Sequence, residues 1–298
     1  MKFELNIYDE FYKLMEQIPE GYVTTYGDIA VALGDIIASR AVGQMLSNNK
    51  NPAKYPCHRV VNSDGSLGGF THSLGTDEKM RRLKKEGIVI VNGKIDNFDS
   101  MRFKDFKTDF PLQRYREWSN GLKMDESDDR PDCLRALDIS YIGDTGIGVG
   151  VTFKERIEFQ VAVREVKSPY IPNYLYLREG EIYETLTERG CINMIDGNGI
   201  LHRDRKGVAT VVGIVKGVST IGIAKKLLTG VIKSDKVYID DEEVGRIYDR
   251  YIISKGNKID FEYAYRRIVG SKYFPHTKYP DKLSRRYRNE ILPAEYSL

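Results

Sequence analysis

Cys57 stands between Pro56 and His58, with Arg59-Val60-Val61 behind it. The thiolate form of cysteine is the nucleophile, and free cysteine has a pKa of about 8.5, so a base or a positive charge must favour ionisation. A thiolate so activated can accept an alkyl group on sulfur. About 80 residues later the chemistry changes: Asp138, Glu179 and Asp196 are distributed over apolar segments. A carboxylate in an apolar strand is costly unless it is paired or binds a metal. Oxygen-only ligands favour magnesium or manganese over zinc. Such ions neutralise phosphate charge and activate water. One thiol nucleophile and one carboxylate metal site predict two enzymes in one polypeptide.

These groups need elements to hold them. The chain has 298 residues, 41% hydrophobic and 30% charged, which fits two domains with a core each. Ile7, Phe11, Leu14, Met15 and Ile18 recur at helical spacing, and Thr25–Leu33 and Ser39–Leu46 read as two further helices. Glu78–Glu86 is a charged helix stopped by Gly87. Ile88–Val91 and Lys94–Ile95 form a small hairpin across Asn92-Gly93. This predicts a mostly helical domain over residues 1–97, a linker over 98–106 and a second domain over 107–298. The second domain begins with strands Cys133–Tyr141, Ile147–Phe153 and Ile157–Val166. It continues with strands Cys191–Ile195 and Ser219–Ile223 alternating with helical Tyr174–Arg189 and Val208–Lys216. That order predicts a mixed α/β sheet.

No run of 18 apolar residues is present, so no membrane partner is expected. The residues Met1-Lys2-Phe3-Glu4-Leu5 lack the apolar core of a secretory signal. Three cysteines, widely spaced, suggest no disulfide framework and a reducing, cytoplasmic setting. Cys133 and Cys191 are expected as core thiols. A net charge of +3 permits nucleic-acid binding without requiring it.

Residues 1 to about 95 resemble the catalytic domain of O6-alkylguanine-DNA alkyltransferases, the methylated-DNA–protein-cysteine methyltransferases. The likeness is carried by Gly21-Tyr22-Val23-Thr24-Thr25-Tyr26-Gly27, Arg40-Ala41-Val42-Gly43, Asn48-Asn49-Lys50-Asn51-Pro52, Tyr55-Pro56-Cys57-His58-Arg59-Val60-Val61 and Gly65-Ser66-Leu67-Gly68-Gly69-Phe70. The resemblance implies a winged-helix-like unit that needs no cofactor. In it Cys57 accepts the alkyl group irreversibly, His58 takes the thiol proton through a water, and Glu86 orients the histidine. It implies that Tyr26 donates to the departing guanine and that Asn49 braces the turn before the active site. Arg40 would fill the gap left by a flipped base, because a stacked base hides its O6 substituent. Phe70 stands where many relatives have tyrosine.

Residues from about 107 to 298 resemble endonuclease V. The strings are Leu137-Asp138-Ile139-Ser140-Tyr141, Ser168-Pro169-Tyr170-Ile171-Pro172, Leu177-Arg178-Glu179-Gly180, Asp196-Gly197-Asn198-Gly199-Ile200-Leu201-His202 and Thr220-Ile221-Gly222-Ile223-Ala224-Lys225-Lys226. The resemblance implies a ribonuclease-H-like fold in which Asp138, Asp196 and Glu179 bind magnesium, with manganese as a substitute. Lys225 would stabilise phosphate charge and His202 would assist near the scissile phosphate. Pro169, Tyr170, Ile171 and Pro172 would form a rigid wedge, since proline fixes φ and tyrosine offers a stacking face. Asn198 replaces a histidine frequent in relatives, and Arg203 replaces the proline that commonly follows His202. Arg285, Arg286 and Arg288 read equally as phosphate contacts or as a solvated helix face.

The two resemblances imply a bifunctional DNA-repair protein, α/β overall. Its partner would be double-stranded DNA carrying alkylated guanine or deaminated bases, with other repair proteins as further partners. Two rivals have distinct consequences. A lesion-binding module that recruits the nuclease would leave Cys57 unlabelled by a benzylguanine-type substrate, and an RNA-directed nuclease would prefer inosine in single-stranded RNA.

Overall fold

The computed structural model describes residues 3–71 and 74–291. Met1 and Lys2 of the amino-terminal stretch, and the last seven residues of the expected second domain, lie outside the described residues. The described residues divide into two compact units: Glu4–Glu117 with Lys167–Pro172, and Phe3, Trp118–Val166 and 173–291.

The first unit is helical, with short strands. Its helices are α1 (Ile7–Met15), α2 (Tyr26–Ala32), α3 (Ser39–Ser47), α4 (Gly75–Lys85) and α5 (Phe98–Met101). Helix α6 (Pro111–Gly121) follows. Local chemistry starts them. Asn6 caps α1 by accepting from the backbone N–H groups of Tyr8 and Asp9. Thr25 and Asp28 form a reciprocal capping box at α2, which satisfies two donors a helix start leaves open. Strand β1 (Thr24–Thr25) pairs in parallel with β2 (Val60–Val61). This pairing ties the start of α2 to the chain just after Cys57. Strands β3 (Ile90–Val91) and β4 (Lys94–Ile95) form the expected hairpin. Val23, Val61, Leu67, Leu83, Ile88 and Ile95 make a buried cluster beneath them. Residues 98–106, expected as a linker, carry α5, and Arg102 pairs with Asp28 at 2.8 Å.

The second unit is built on one nine-stranded sheet. Strands β5 (Cys133–Ile142), β6 (Thr145–Phe153) and β7 (Ile157–Glu165) come first. Helix α7 (Leu175–Leu186), β8 (Cys191–Asp196), α8 (Val208–Lys216) and β9 (Thr220–Ala224) follow. A meander of β10 (Val231–Lys233), β11 (Lys236–Ile239), β12 (Glu242–Tyr248) and β13 (Tyr251–Asn257) leads to α9 (Phe261–Val269) and α10 (Lys278–Ile291). The sheet order is β10-β11-β12-β13-β9-β8-β5-β6-β7. Strands β5, β8 and β9 are parallel neighbours and the remaining pairs are antiparallel. This is the mixed sheet expected from the element order.

Two glycines set how closely the layers meet. A Cβ at Gly148 in β6 would stand 2.2 Å from the side chain of Ile182, so the bare backbone there lets α7 settle onto the sheet. A Cβ at Gly199 would stand 2.0 Å from the Lys255 carbonyl oxygen, so the loop after β8 must run against β13 without a side chain.

The cysteines correct the sequence reading. Cys133 and Cys191 are not separate core thiols but a disulfide with an S–S distance of 2.07 Å. They occupy directly paired positions on β5 and β8, a register between strands 58 residues apart that linear spacing does not display. Among the described residues, no helix is long and apolar enough to cross a membrane.

Candidate active sites

The first constellation surrounds Cys57, the free cysteine, which begins a single helical turn, Cys57–Arg59. Asn49 holds the approach to this turn: its Nδ2 donates to the Tyr55 carbonyl at 2.8 Å, and its Oδ1 accepts from the Asn51 N–H at 3.0 Å. The Cys57 N–H also donates to Tyr55, at 2.7 Å. His58 is buried, with Nε2 2.6 Å from Glu86 Oε1. Burial holds the His58 imidazole below its ordinary pKa, although Glu86 pulls upward. A neutral ring facing a carboxylate carries its proton on Nε2. Its Nδ1 is then a basic lone pair, and it has no protein partner among the described residues. Burial raises Glu86, but hydrogen bonds from Arg59 and His58 outweigh it and keep the carboxyl below its usual range. Arg59 donates to Glu86 at 2.9 and 2.8 Å and to the Ile18 carbonyl at 2.7 Å.

Cys57 opens onto a cavity of about 260 Å³ whose walls include Tyr26, Asn49, Gly69, Phe70 and Arg82. Burial, and secondarily the charge of Cys57, raise the Tyr26 phenol, so it stays a proton donor. Lys79 is fully buried, and its Nζ donates to the Val60 and Gly69 carbonyls at 2.6 and 3.3 Å. Burial pushes Lys79 down to about 8. Arg40 lies exposed on the first turn of α3.

The second constellation sits on the parallel strands. Leu137 pairs with Ile195, so the next residues, Asp138 and Asp196, emerge side by side. Asp138 is buried. Burial and the charges of Asp196 and Asp281 drive its carboxyl far above the usual range. Glu179 enters from α7 and is also buried; burial pushes it up to about 7, against the hydrogen bond from Tyr141. Tyr141 donates to Glu179 Oε1 at 2.5 Å. Lys225 follows β9, with Nζ 3.1 Å from Asp196 Oδ2. The nearby cations are Lys225, on Asp196, and Arg178, which lies over the Tyr141 ring at 4.0 Å and acts on Glu179; the carboxylates outnumber them. Buried negative charge without matching positive charge is unfavourable, and an all-oxygen donor set suits a hard divalent cation. The residues therefore fit such an ion. Among the described residues, the group whose ligand atoms all lie within 4.8 Å of one another is a different one, Cys133, Glu188 and Cys191, where the two sulfurs already bond to each other.

The remaining expected residues take varied places. His202 is buried, with Nε2 3.1 Å from the Asn173 carbonyl and Nδ1 accepting from the Asp204 N–H at 3.2 Å. Tyr170 is 54% exposed while Ile171 is buried, and the stretch 167–172 groups by contact with the first unit. Arg285 pairs with Asp281 and Arg286 with Glu290 along α10. The sequence reading missed Asp281, Arg59, Lys79 and Arg82. Asp281 could have been found: Tyr279, Leu283 and Tyr287 recur every four residues and pack on the sheet core, which marks a helix carrying Asp281.

Comparison with known proteins agrees with both family resemblances. Residues 6–88 match the family described as 6-O-methylguanine DNA methyltransferase, DNA binding domain, and residues 117–282 match Endonuclease V. A protein of Picrophilus torridus named bifunctional methyltransferase/endonuclease is 43% identical over 279 residues, covering 91% of this chain and 93% of that one. One of the same name from Thermoplasma volcanium is 43% identical over 262 residues, covering 86% and 82%. Among solved structures, endonuclease V of Streptomyces avermitilis superposes with a TM-score of 0.54 at 24% identity, covering 62% of this chain and 95% of that one. Endonuclease V of Ciona intestinalis, solved with inosine-containing DNA, gives 0.54 at 22%, covering 62% and 100%.

Proposed function

The chain belongs to the family of bifunctional methyltransferase/endonucleases, and from that premise we propose that it repairs double-stranded DNA by two separate reactions. Residues 1–97 carry single-turnover transfer of alkyl groups from O6-alkylguanine to Cys57. Residues 107–298 carry incision one nucleotide 3′ of deaminated bases, deoxyinosine first, with deoxyuridine and deoxyxanthosine as further substrates.

The observation that carries the first reaction is the neutral His58, anchored by Glu86 at 2.6 Å with its second nitrogen open. Through a water, Nδ1 takes the proton of the Cys57 thiol. The sulfur attacks the alkyl carbon, and the bond to O6 breaks with its electrons on the base. Tyr26 donates to the leaving guanine. Arg40 occupies the stack that the flipped base vacates.

For the second reaction, Asp138 and Asp196, with Glu179 and Asp281 beside them, would hold magnesium or manganese, which when bound supplies charge neutralisation at the phosphate and an activated water. Lys225 places a further positive charge at the rim of the carboxylates. Tyr141 holds Glu179 by a hydrogen bond, and the Tyr183 hydroxyl donates to the Asp196 carbonyl oxygen at 3.2 Å. His202 braces the loop after β8 close to the scissile phosphate. The exposed ring of Tyr170 offers a stacking face, stiffened by Pro169 and Pro172.

The test is one labelled duplex with a single deoxyinosine and another with a single O6-methylguanine, each incubated with and without magnesium. A metal-dependent nick 3′ of inosine, and a methyl group on Cys57, are expected. An inosine duplex left uncut with magnesium would remove the second reaction; an unmodified Cys57 would remove the first.

A further inference from the structure

Glu78, Arg81 and Arg82 form a charged triad on α4 whose charges do not cancel. Arg81 grips Glu78 with two hydrogen bonds, Nε to Oε2 at 2.7 Å and Nη2 to Oε1 at 2.8 Å. Arg82 donates to the same carboxylate through Nε alone, at 2.7 Å. Two guanidinium groups thus share one carboxylate, leaving one positive charge over. Arg82 carries the inward share of it. Its side chain is 26% exposed, it lies over Phe70 with Cζ 5.6 Å from the ring centroid, and it lines the cavity that holds Cys57. Its Nη groups engage no acceptor among the described residues.

The rest of the cavity does not oppose that charge. No aspartate or glutamate is among its described lining residues. Lys79 adds a second buried cation behind Gly69. The field of Arg82 reaches the reacting pair, since it works against protonation of His58. A guanidinium with open N–H groups, in a partly desolvated cavity lacking carboxylates, is a receptor for an anionic group.

Taking Cys57 as the alkyl acceptor, as proposed above, we infer that its cavity admits O6-alkyl groups ending in a carboxylate and that Arg82 selects them. The smallest such group is carboxymethyl. Its carboxylate accepts from the Arg82 Nη groups while its methylene faces Cys57. The thiolate sulfur forms the S–CH2 bond, and the CH2–O6 bond breaks with its electron pair on the base. The guanine leaves protonated by the proton the thiol gave up, so no further reactant is needed.

The experiment compares three duplexes with the full chain: O6-methylguanine, O6-carboxymethylguanine and the neutral isostere O6-carbamoylmethylguanine. Loss of each modified base is followed by strand chromatography. The wild type should take carboxymethyl over carbamoylmethyl by about tenfold to a hundredfold, the span of a hydrogen bond to a charged group. Arg82→Gln should bring that ratio near one, and Arg82→Lys should keep part of it. The ratio is taken within one protein sample, so a partly folded variant does not distort it. A wild-type ratio near one overturns the proposal. So does an Arg82→Gln ratio equal to wild type, including the case where all three substrates slow together, which would make Arg82 a DNA contact. Failure to react with any of the three, O6-methylguanine included, would instead remove the reading of Cys57 as acceptor, and this proposal with it.

Discussion

Around Cys57, cations face a group that must become negative. Lys79 is buried within electrostatic reach, Arg82 lines the cavity, and the Glu86 carboxylate is held back by His58 and Arg59. Around Asp138 the balance is reversed, with carboxylates gathered in a buried spot and outnumbering the nearby cations Lys225 and Arg178. The first arrangement carries its compensating charge in its own side chains. The second is short of positive charge, which under the proposed function a divalent cation would supply. The lesson is that the sign of the uncompensated charge, more than the identity of any single residue, separates the two chemistries.

Substitutions can break this contrast. Asp138→Ala should lower nicking of an inosine duplex by about a thousandfold while Cys57 still accepts methyl groups; parallel loss of both activities would show that the sites are not independent. Glu86→Gln should slow transfer to Cys57 by about a hundredfold, the scale of a general base deprived of its orienting partner, with nicking untouched. Measured against magnesium concentration, Asp281→Asn should raise the metal requirement by about tenfold; an unchanged curve would place Asp281 outside the site. Tyr170→Ala should weaken binding to inosine duplex by about fivefold, the lower end of a lost stacking contact, as read by fluorescence anisotropy.

The contrast also has a pH signature. Burial raises Asp138 and Glu179 above their unfolded values, so folding takes up protons there. The stability this contributes is full below the unfolded carboxylate pKa and is lost as pH rises, through about 7 for Glu179. Calorimetry in chelator should therefore show the second unit losing stability from pH 5 to 8, and magnesium should restore more at pH 8 than at pH 5. An equal gain at both values would show that the ion does not compete with protons for these groups.

Much of this was legible in the residues. The Cys57 motif, the carboxylate strings and the first strands of the sheet are local patterns. The meander β10–β13 was not assigned, because its turns use Ser234, Asp240, Asp241 and Asp249 at positive φ where glycine or asparagine is the usual signal. Asp281 was missed because its helix comes long after the strands it packs on. Arg59 and Lys79 are visible as residue types, but their worth depends on burial and on partners 27 and 19 residues away. The disulfide depends on strand register, which no local pattern encodes.

That register has one more consequence. Cys133 and Asp138 are separated by the same number of residues as Cys191 and Asp196, and the cysteines pair directly. The two strands therefore count equal lengths from a common origin to the two carboxylates. A strand shifted by one residue turns every side chain to the opposite face. Between these landmarks, inheritance can tolerate exchanges of one apolar residue for another far more readily than a single insertion or deletion, which would send one aspartate to the wrong side of the sheet.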